Sequence, residues 1–411
     1  MYEKIFEEER EEVLLGSNGK EYEDATVIIN SALSLTTDLS IESCNVLFDI
    51  SSGASITSKG NCIKIIDSCV VFDGESQDVI NSFVDCKIVF EDCKFSQINA
   101  KHKKAEFNIF FKATMGRVEI NNCEFEHMIG RIFQSDGTDL YIEKIKVSNI
   151  SGEFYESVQH EEEYPSVVIK DSEFKNINFP VDVDYSSTKK VELSFGAKSE
   201  GPAVFDIKDA VRAEISNLSF SDIDIMCISN QAYVGGNRKY CEIKKCSFKK
   251  CRHNKKKPRN QYEYTWEQPL DFCINANYGV CHISDCKIVE SRGVHIFPQY
   301  ADASIRKCSF EKCQAEDTSR FGILDILTET DKDNPLIVED CTFKKCKVIC
   351  DGSSADHGII YITGGMAQRA QTESVHLKNV IFEECESDYE VCGKEKMDGF
   401  FGGTVTYYKI L

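Results

Sequence analysis

The sequence predicts an all-β chain wound as a right-handed parallel β-helix, a solenoid of about a dozen coils with a short N-terminal helical cap. Two observations carry that prediction. A short motif with apolar residues at alternate positions returns along most of the chain, and its Cys and Phe positions fall into register from copy to copy.

The motif reads apolar, any, apolar, two polar, Cys, any, Phe, two polar, then a small apolar residue. Clear copies contain Ile88, Phe90, Cys93, Phe95 and Ile98, then Val118, Ile120, Cys123 and Phe125. Others contain Val167, Ile169, Ser172, Phe174 and Ile177, then Cys241, Ile243, Cys246, Phe248 and Cys251, and finally Leu336, Val338, Cys341, Phe343 and Cys346. Weaker copies centre on Cys44, Cys69, Ile145, Leu218, Cys286, Cys308 and Val380. The period of two belongs to strands and not to helices. It is broken at a polar pair such as Glu91-Asp92, Asn121-Asn122 or Lys170-Asp171, where a sharp bend between two strands keeps both apolar sets on one side. A third alternating segment precedes several copies, for example at Ile109 and Phe111, at Phe272 and Ile274, and from Ile359 to Ile362. Three short strands that cannot bury their own inner face must stack on neighbours to do so.

In that register Cys93, Cys123, Cys246, Cys286, Cys308 and Cys341 form one inward column. Cys251, Cys313, Cys346 and Cys385 form a second, and Phe95, Phe125, Phe174, Phe220, Phe248, Phe310, Phe343 and Phe382 a third. A narrow interior favours like residues stacked at crystal-like density. Cys241, Cys246, Cys251 and His253, or Cys341, Cys346 and Cys350, look rich in metal ligands. Their five-residue interval is the repeat's own, however, and persists where Ile98, Ile150, Ile177 or Ile223 replaces Cys. Packing accounts for these thiols without a metal or a cofactor. Residues 1–25 read as a cap segment: the charged start, with Ile5, Phe6, Val13, Leu14 and Leu15, suits a helix covering the open first coil. Residues 26–411 read as one β-helix domain with a basic loop inserted near 249–268. The intervals near 190, 265 and 360 leave room for extra coils or excursions.

Of the 411 residues, 42% are hydrophobic and 28% charged, with 20 Cys, 7 Pro and a net charge of −20. No apolar run is long enough to span a membrane as a helix, and the charged start lacks a secretory leader's pattern. These features predict a cytoplasmic protein whose thiols stay reduced and whose charge repels nucleic acid and anionic lipid.

The repeat resembles the right-handed parallel β-helix superfamily of pectate lyases and polygalacturonases. Its Cys and Phe usage is similar to that of β-helix repeat proteins of parabasalid protists, such as trichomonads. Polygalacturonase-like chemistry implies an adjacent Asp pair with a nearby Gly-His-Gly. The chain has no Asp-Asp, and Asp356-His357-Gly358 lacks companions. Pectate-lyase-like chemistry implies acidic calcium ligands around an arginine. Asp182, Asp184, Asp331 and Asp333 are acidic loop residues without such an arginine motif, and calcium needs six to eight oxygens. Gly235-Gly236, Gly364-Gly365 and Gly402-Gly403 lack the Lys-Ser/Thr of a phosphate loop, and no Gly-x-Ser-x-Gly occurs.

One segment stands apart from the acidic background. Lys249, Lys250, Arg252, Lys255, Lys256, Lys257 and Arg259 are followed by Tyr262, Tyr264 and Trp266. Basic residues beside aromatics suit an acidic protein tail, with single-stranded nucleic acid as the lesser candidate. The expectation is therefore a non-catalytic scaffold. The protist resemblance implies a cytoskeletal or flagellar, microtubule-associated assembly and acidic partners such as tubulin tails. A polysaccharide lyase or glycoside hydrolase, and a surface adhesin, are the alternatives. Partner identity and oligomeric state are not legible.

Overall fold

The computed structural model describes the chain except residues 1–5, 7–9, 19, 76–78, 101–108, 159–164, 179–202, 209, 232–238, 252–271, 278, 299–300, 317–321, 329–335, 350–357, 365–374, 388 and 394–411. The described residues are almost entirely strand, and the chain is a right-handed parallel β-helix. It divides into two compact units, residues 1–190 and 191–411.

In the first unit each coil contributes to three parallel sheets. The first contains Ala32–Leu35, Ser55–Lys59 and Tyr155–Val158, and the second contains Leu39–Glu42, Cys62–Ile66 and Ser166–Lys170. The long strands Val79–Glu91, Ile109–Asn121 and Arg131–Glu143 run through both. The third sheet holds Ala25–Ile29, Asn45–Asp49, Cys69–Asp73, Lys94–Ile98, Glu124–Glu126, Lys146–Ser151 and Glu173–Asn178. The second unit repeats the plan. Its first sheet stacks Ala203–Lys208, Met226–Gln231, Ile274–Asn277, Val294–Phe297, Leu324–Thr328, Gly358–Gly364 and Tyr389–Gly393.

The polar pair between second and third sheets makes the bend. Its second residue adopts a left-handed backbone, as at Asp92 (φ 55°), Asn122 (φ 51°), Asp171 (φ 50°), Lys245 (φ 55°) and Asp340 (φ 56°). Asn and Asp tolerate that conformation best, through local hydrogen bonds of their short side chains. The amide of the bend residue then donates to the next coil, as Asp92 does to the Asn121 carbonyl at 3.0 Å.

The stacked columns form as the spacing implies. Phe95 lies 4.6 Å from Phe125, Phe220 5.0 Å from Phe248, and Phe310 4.5 Å from Phe343, ring centroid to centroid. These separations follow the strand spacing of about 4.8 Å, so each ring sits over the one below. The thiols of Cys286, Cys308 and Cys341 are buried beside them and donate to backbone carbonyls of their own and the preceding coil. Contact with Cys313, together with burial, pushes the Cys346 thiol up to about 12, so it stays protonated.

Two sequence expectations change. Glu11–Leu14 is a strand paired in parallel with Ala25–Ile28, not part of a helical cap; its backbone extends the third sheet, and that ladder outweighs the helix propensity of its Glu and Leu residues. Residues 1–5 lie outside the described residues. Around Cys69 the register is shifted by one. Ser68 holds the column position and accepts from the Cys44 amide at 3.0 Å, Val70 pairs with Phe95, and Cys69 faces partly outward.

Candidate active site

Alternation along the first sheet of the second unit decides what faces inward. Phe205, Ile228, Ile274, Val294, Leu324 and Ile360 stack in register as one core column, and Phe205 meets the ring of Phe220 across the interior at 6.4 Å. The next residue on each strand therefore points away from the core. Those residues are Asp206, Ser229, Asn275, His295, Asp325 and Tyr361, one per coil. Two residues further on each strand, Lys208, Gln231, Asn277 and Phe297 form a parallel column.

Outward positions of a surface sheet ordinarily meet water. These do not: His295 and Asp325 are each 2% exposed and Asn275 is 1% exposed. At the centre His295 Nδ1 lies 2.5 Å from Asp325 Oδ2. Burial raises the Asp325 pKa above the usual carboxylate range, and the imidazole partly opposes this. The hydrogen bond joins Nδ1 to Oδ2; in the tautomer with its hydrogen on Nδ1, His295 Nε2 carries a lone pair. Nε2 and Asp325 Oδ1 are buried without a protein partner, as are both amide atoms of Asn275 and Oδ1 of Asp206. The other oxygen of Asp206 is held by Lys208 Nζ at 2.9 Å.

Gly293 sets the strand that carries His295. A Cβ there would lie 1.4 Å from the Ile323 carbonyl oxygen, and that oxygen accepts from the Val294 amide at 2.9 Å. Only a hydrogen fits where the two coils touch.

These residues escape a motif search because 23, 46, 20, 30 and 36 residues separate them in the chain. Only the stacking of coils brings them together. The one local signal is a polar residue between apolar neighbours, as in Val294-His295-Ile296 and Leu324-Asp325-Ile326. Of the basic segment, Lys249 and Lys250 are exposed on the third sheet and its bend, away from this column. Arg252, Lys255, Lys256, Lys257, Arg259, Tyr262, Tyr264 and Trp266 lie outside the described residues, as do Asp182, Asp184, Asp331, Asp333, Asp356 and His357. Among the described residues, no group of three or more His, Cys, Asp or Glu side chains is arranged to hold a metal ion.

No family model and no curated protein matches the chain. Solved structures similar to it include the catalytic domain of a GH87 α-1,3-glucanase in complex with tetrasaccharides, at 9% identity and a TM-score of 0.45. That match covers 95% of this chain and 64% of the other, so the chain spans less than two thirds of the glucanase structure. A PL6 alginate lyase in complex with a trisaccharide matches at 7% identity and a TM-score of 0.41, covering 95% of this chain and 83% of the other. An endo-xylogalacturonan hydrolase from Aspergillus tubingensis matches at 8% identity and a TM-score of 0.26, covering 96% and 93%. Likeness at this level transfers no activity. These structures are carbohydrate-active enzymes, and none of them is a cytoskeletal, flagellar or parabasalid repeat protein. The expectation of a non-catalytic scaffold finds no support among them, and motif spacing concealed the buried, hydrogen-bonded His295–Asp325 pair.

Proposed function

We propose that this β-helix is a polysaccharide-cleaving enzyme and that it cleaves by β-elimination, as a lyase acting on uronate-containing glycans. The observation that carries the reading is His295 Nε2, buried, without a protein partner, and backed through Nδ1 by the Asp325 carboxylate. That is the arrangement of a general base oriented by a second group. In the reaction Nε2 takes the proton from the carbon next to the substrate's carboxylate. The C–H electrons form the carbon–carbon double bond, and the glycosidic oxygen leaves with its bonding pair and is then protonated. Asn275 occupies the adjacent strand, where its amide N–H groups can hold the substrate carboxylate as negative charge builds on it.

Hydrolysis by paired carboxylates fits less well. It needs two carboxyl groups about 5–9.5 Å apart. Asp206 and Asp325 are four strand spacings apart, about 19 Å, and the group beside Asp325 is an imidazole.

The test is to incubate the protein with alginate, pectate and neutral glucans while following ultraviolet absorbance of unsaturated product and release of reducing ends. The expected result is unsaturated product from a uronate polymer, reduced about 10²–10⁴-fold in His295→Ala. Reducing ends without unsaturation would replace elimination by hydrolysis. No product from any polymer, or full activity in His295→Ala, would remove the reading.

A further inference from the structure

Resting on that reading for its ligand, we infer that the bend from the second to the third sheet in the second unit is a separate docking surface for the acidic glycan. It binds through Lys245, Lys287 and Lys307, one lysine on each of three successive coils. The third-sheet strands of these coils, Ser247–Cys251, Lys287–Val289 and Ser309–Glu311, pair in parallel. Residues 244–250, 284–290 and 306–312 hold eight Lys or Arg against three Asp or Glu, in a chain whose net charge is −20. Lys244 is half-buried and the other seven cations are exposed, so a polymer in solution reaches them directly. Carboxylates leave most of this charge uncompensated. Lys312 lies 3.8 Å from Glu290, and Arg306 3.8 Å from Glu339. Lys245, Lys249, Lys250, Lys287 and Lys307 form no ion pair among the described residues.

The fold itself does not require these lysines. Lys245 (φ 55°) and Lys307 (φ 53°) occupy the left-handed bend, which Asn and Asp tolerate best. Asp92, Asn122, Asn217 and Asn379 fill it on other coils. Lys144 takes the same bend in the first unit, but there Glu143 holds it at 3.2 Å. Beside Lys287 the neighbouring coils carry Ser247 and Ser309 in register. Like charges gathered on stacked coils repel one another, and a polyanion laid over them relieves that repulsion. Spacing selects the kind of polyanion. Parallel coils repeat at about 4.8 Å, close to the advance of one ring in an extended glycan, whereas same-side side chains of an extended peptide recur at about 6.8 Å. A uronate polymer carries one carboxylate per ring, so its charge along a path across the strands matches one lysine per coil. On the middle coil the bend residue is Asp285, and Lys287, two residues on, supplies the cation.

The test replaces each lysine by a residue that other coils use at its position, combining Lys245→Asn, Lys287→Ser and Lys307→Asn, so that three charges are lost and the bends are kept. Circular dichroism melts establish that the variant is folded. Binding to alginate and pectate is measured by calorimetry on a His295→Ala background, at low and raised salt, beside a neutral glucan, polyglutamate and single-stranded DNA. The expected result is polyuronate binding that weakens with salt and falls about tenfold with the triple substitution, as three exposed ion pairs would give. With His295 intact, the triple variant should cleave short oligouronates at the wild-type rate. Polyuronate binding that is absent, or unchanged by the triple substitution, overturns the surface and leaves the cleavage reading to its own assay. Tighter binding of polyglutamate or DNA than of polyuronate overturns it too. Charge-dependent polyuronate binding by a wild-type protein that cleaves no polymer supports the surface and removes the cleavage reading alone.

Discussion

Two buried asparagines, one in each unit, are satisfied in opposite ways. Asn81 is fully buried in the first unit; its Oδ1 accepts from the Ile56 amide at 3.0 Å and its Nδ2 donates to the Phe110 carbonyl at 3.1 Å. Gln97 is used similarly, donating to the Gly74 carbonyl at 2.7 Å and accepting from the Ile129 amide at 2.8 Å. Asn275 in the second unit is as deeply buried and bonds to no protein group. The first two amides knit coils together. The third contributes nothing of that kind, and neither does His295 Nε2. In a fold whose interior is Cys, Phe and Ile, polar groups buried without partners mark a place where stability is given up for binding or chemistry.

The largest effect that could break this comparison is at Gly293. Gly293→Ala places a Cβ against the Ile323 carbonyl, and the coils carrying His295 and Asp325 must part to admit it. The account expects a loss of several kcal/mol in urea unfolding, about 3 or more by the scale of severe core overpacking. A wild-type midpoint would show that the coil contact is looser than the geometry has it.

Leucine substitutions sharpen the contrast between the asparagines, because leucine keeps asparagine's heavy-atom branching and removes its hydrogen-bonding groups. Asn81→Leu leaves the Ile56 N–H and the Phe110 carbonyl buried and unpaired and should destabilise by about 2–4 kcal/mol. Asn275→Leu removes two unsatisfied atoms and should stabilise by about 1 kcal/mol while abolishing cleavage. If both variants destabilise equally, the two residues play the same structural part.

A smaller effect concerns pH. The pKa of Asp325 is raised by burial, so the folded protein holds that proton more tightly than the unfolded chain. The resulting stabilisation is complete below the ordinary carboxylate pKa and is lost as pH rises through the raised value. Thermal melts of Asp325→Asn against wild type should therefore show the variant gaining relative stability from acid to neutral pH. A difference independent of pH would contradict the shift.

The solenoid was legible because its physics is local and repeated. Every second residue faces inward, a polar pair bends the chain, and Phe95, Phe125, Phe220, Phe248, Phe310 and Phe343 stack as their positions in the motif imply. The start was misread because charged residues with helix propensity, Glu11 and Glu12, pair as a strand when a sheet edge is offered. Around Cys69 the motif slid by one, since Ser68 fills the column as well as a thiol does. The site was missed for a different reason. Its residues follow no fixed interval, and a lone His295 between Val294 and Ile296 is indistinguishable from a core histidine until Asp325 is stacked on it.

The most direct test of the central claim is to digest a uronate polymer in heavy-oxygen water and weigh the products by mass spectrometry. The account predicts unsaturated oligomers without the heavy label, and none from His295→Ala. Saturated oligomers carrying the label, or equal product from His295→Ala, would contradict it.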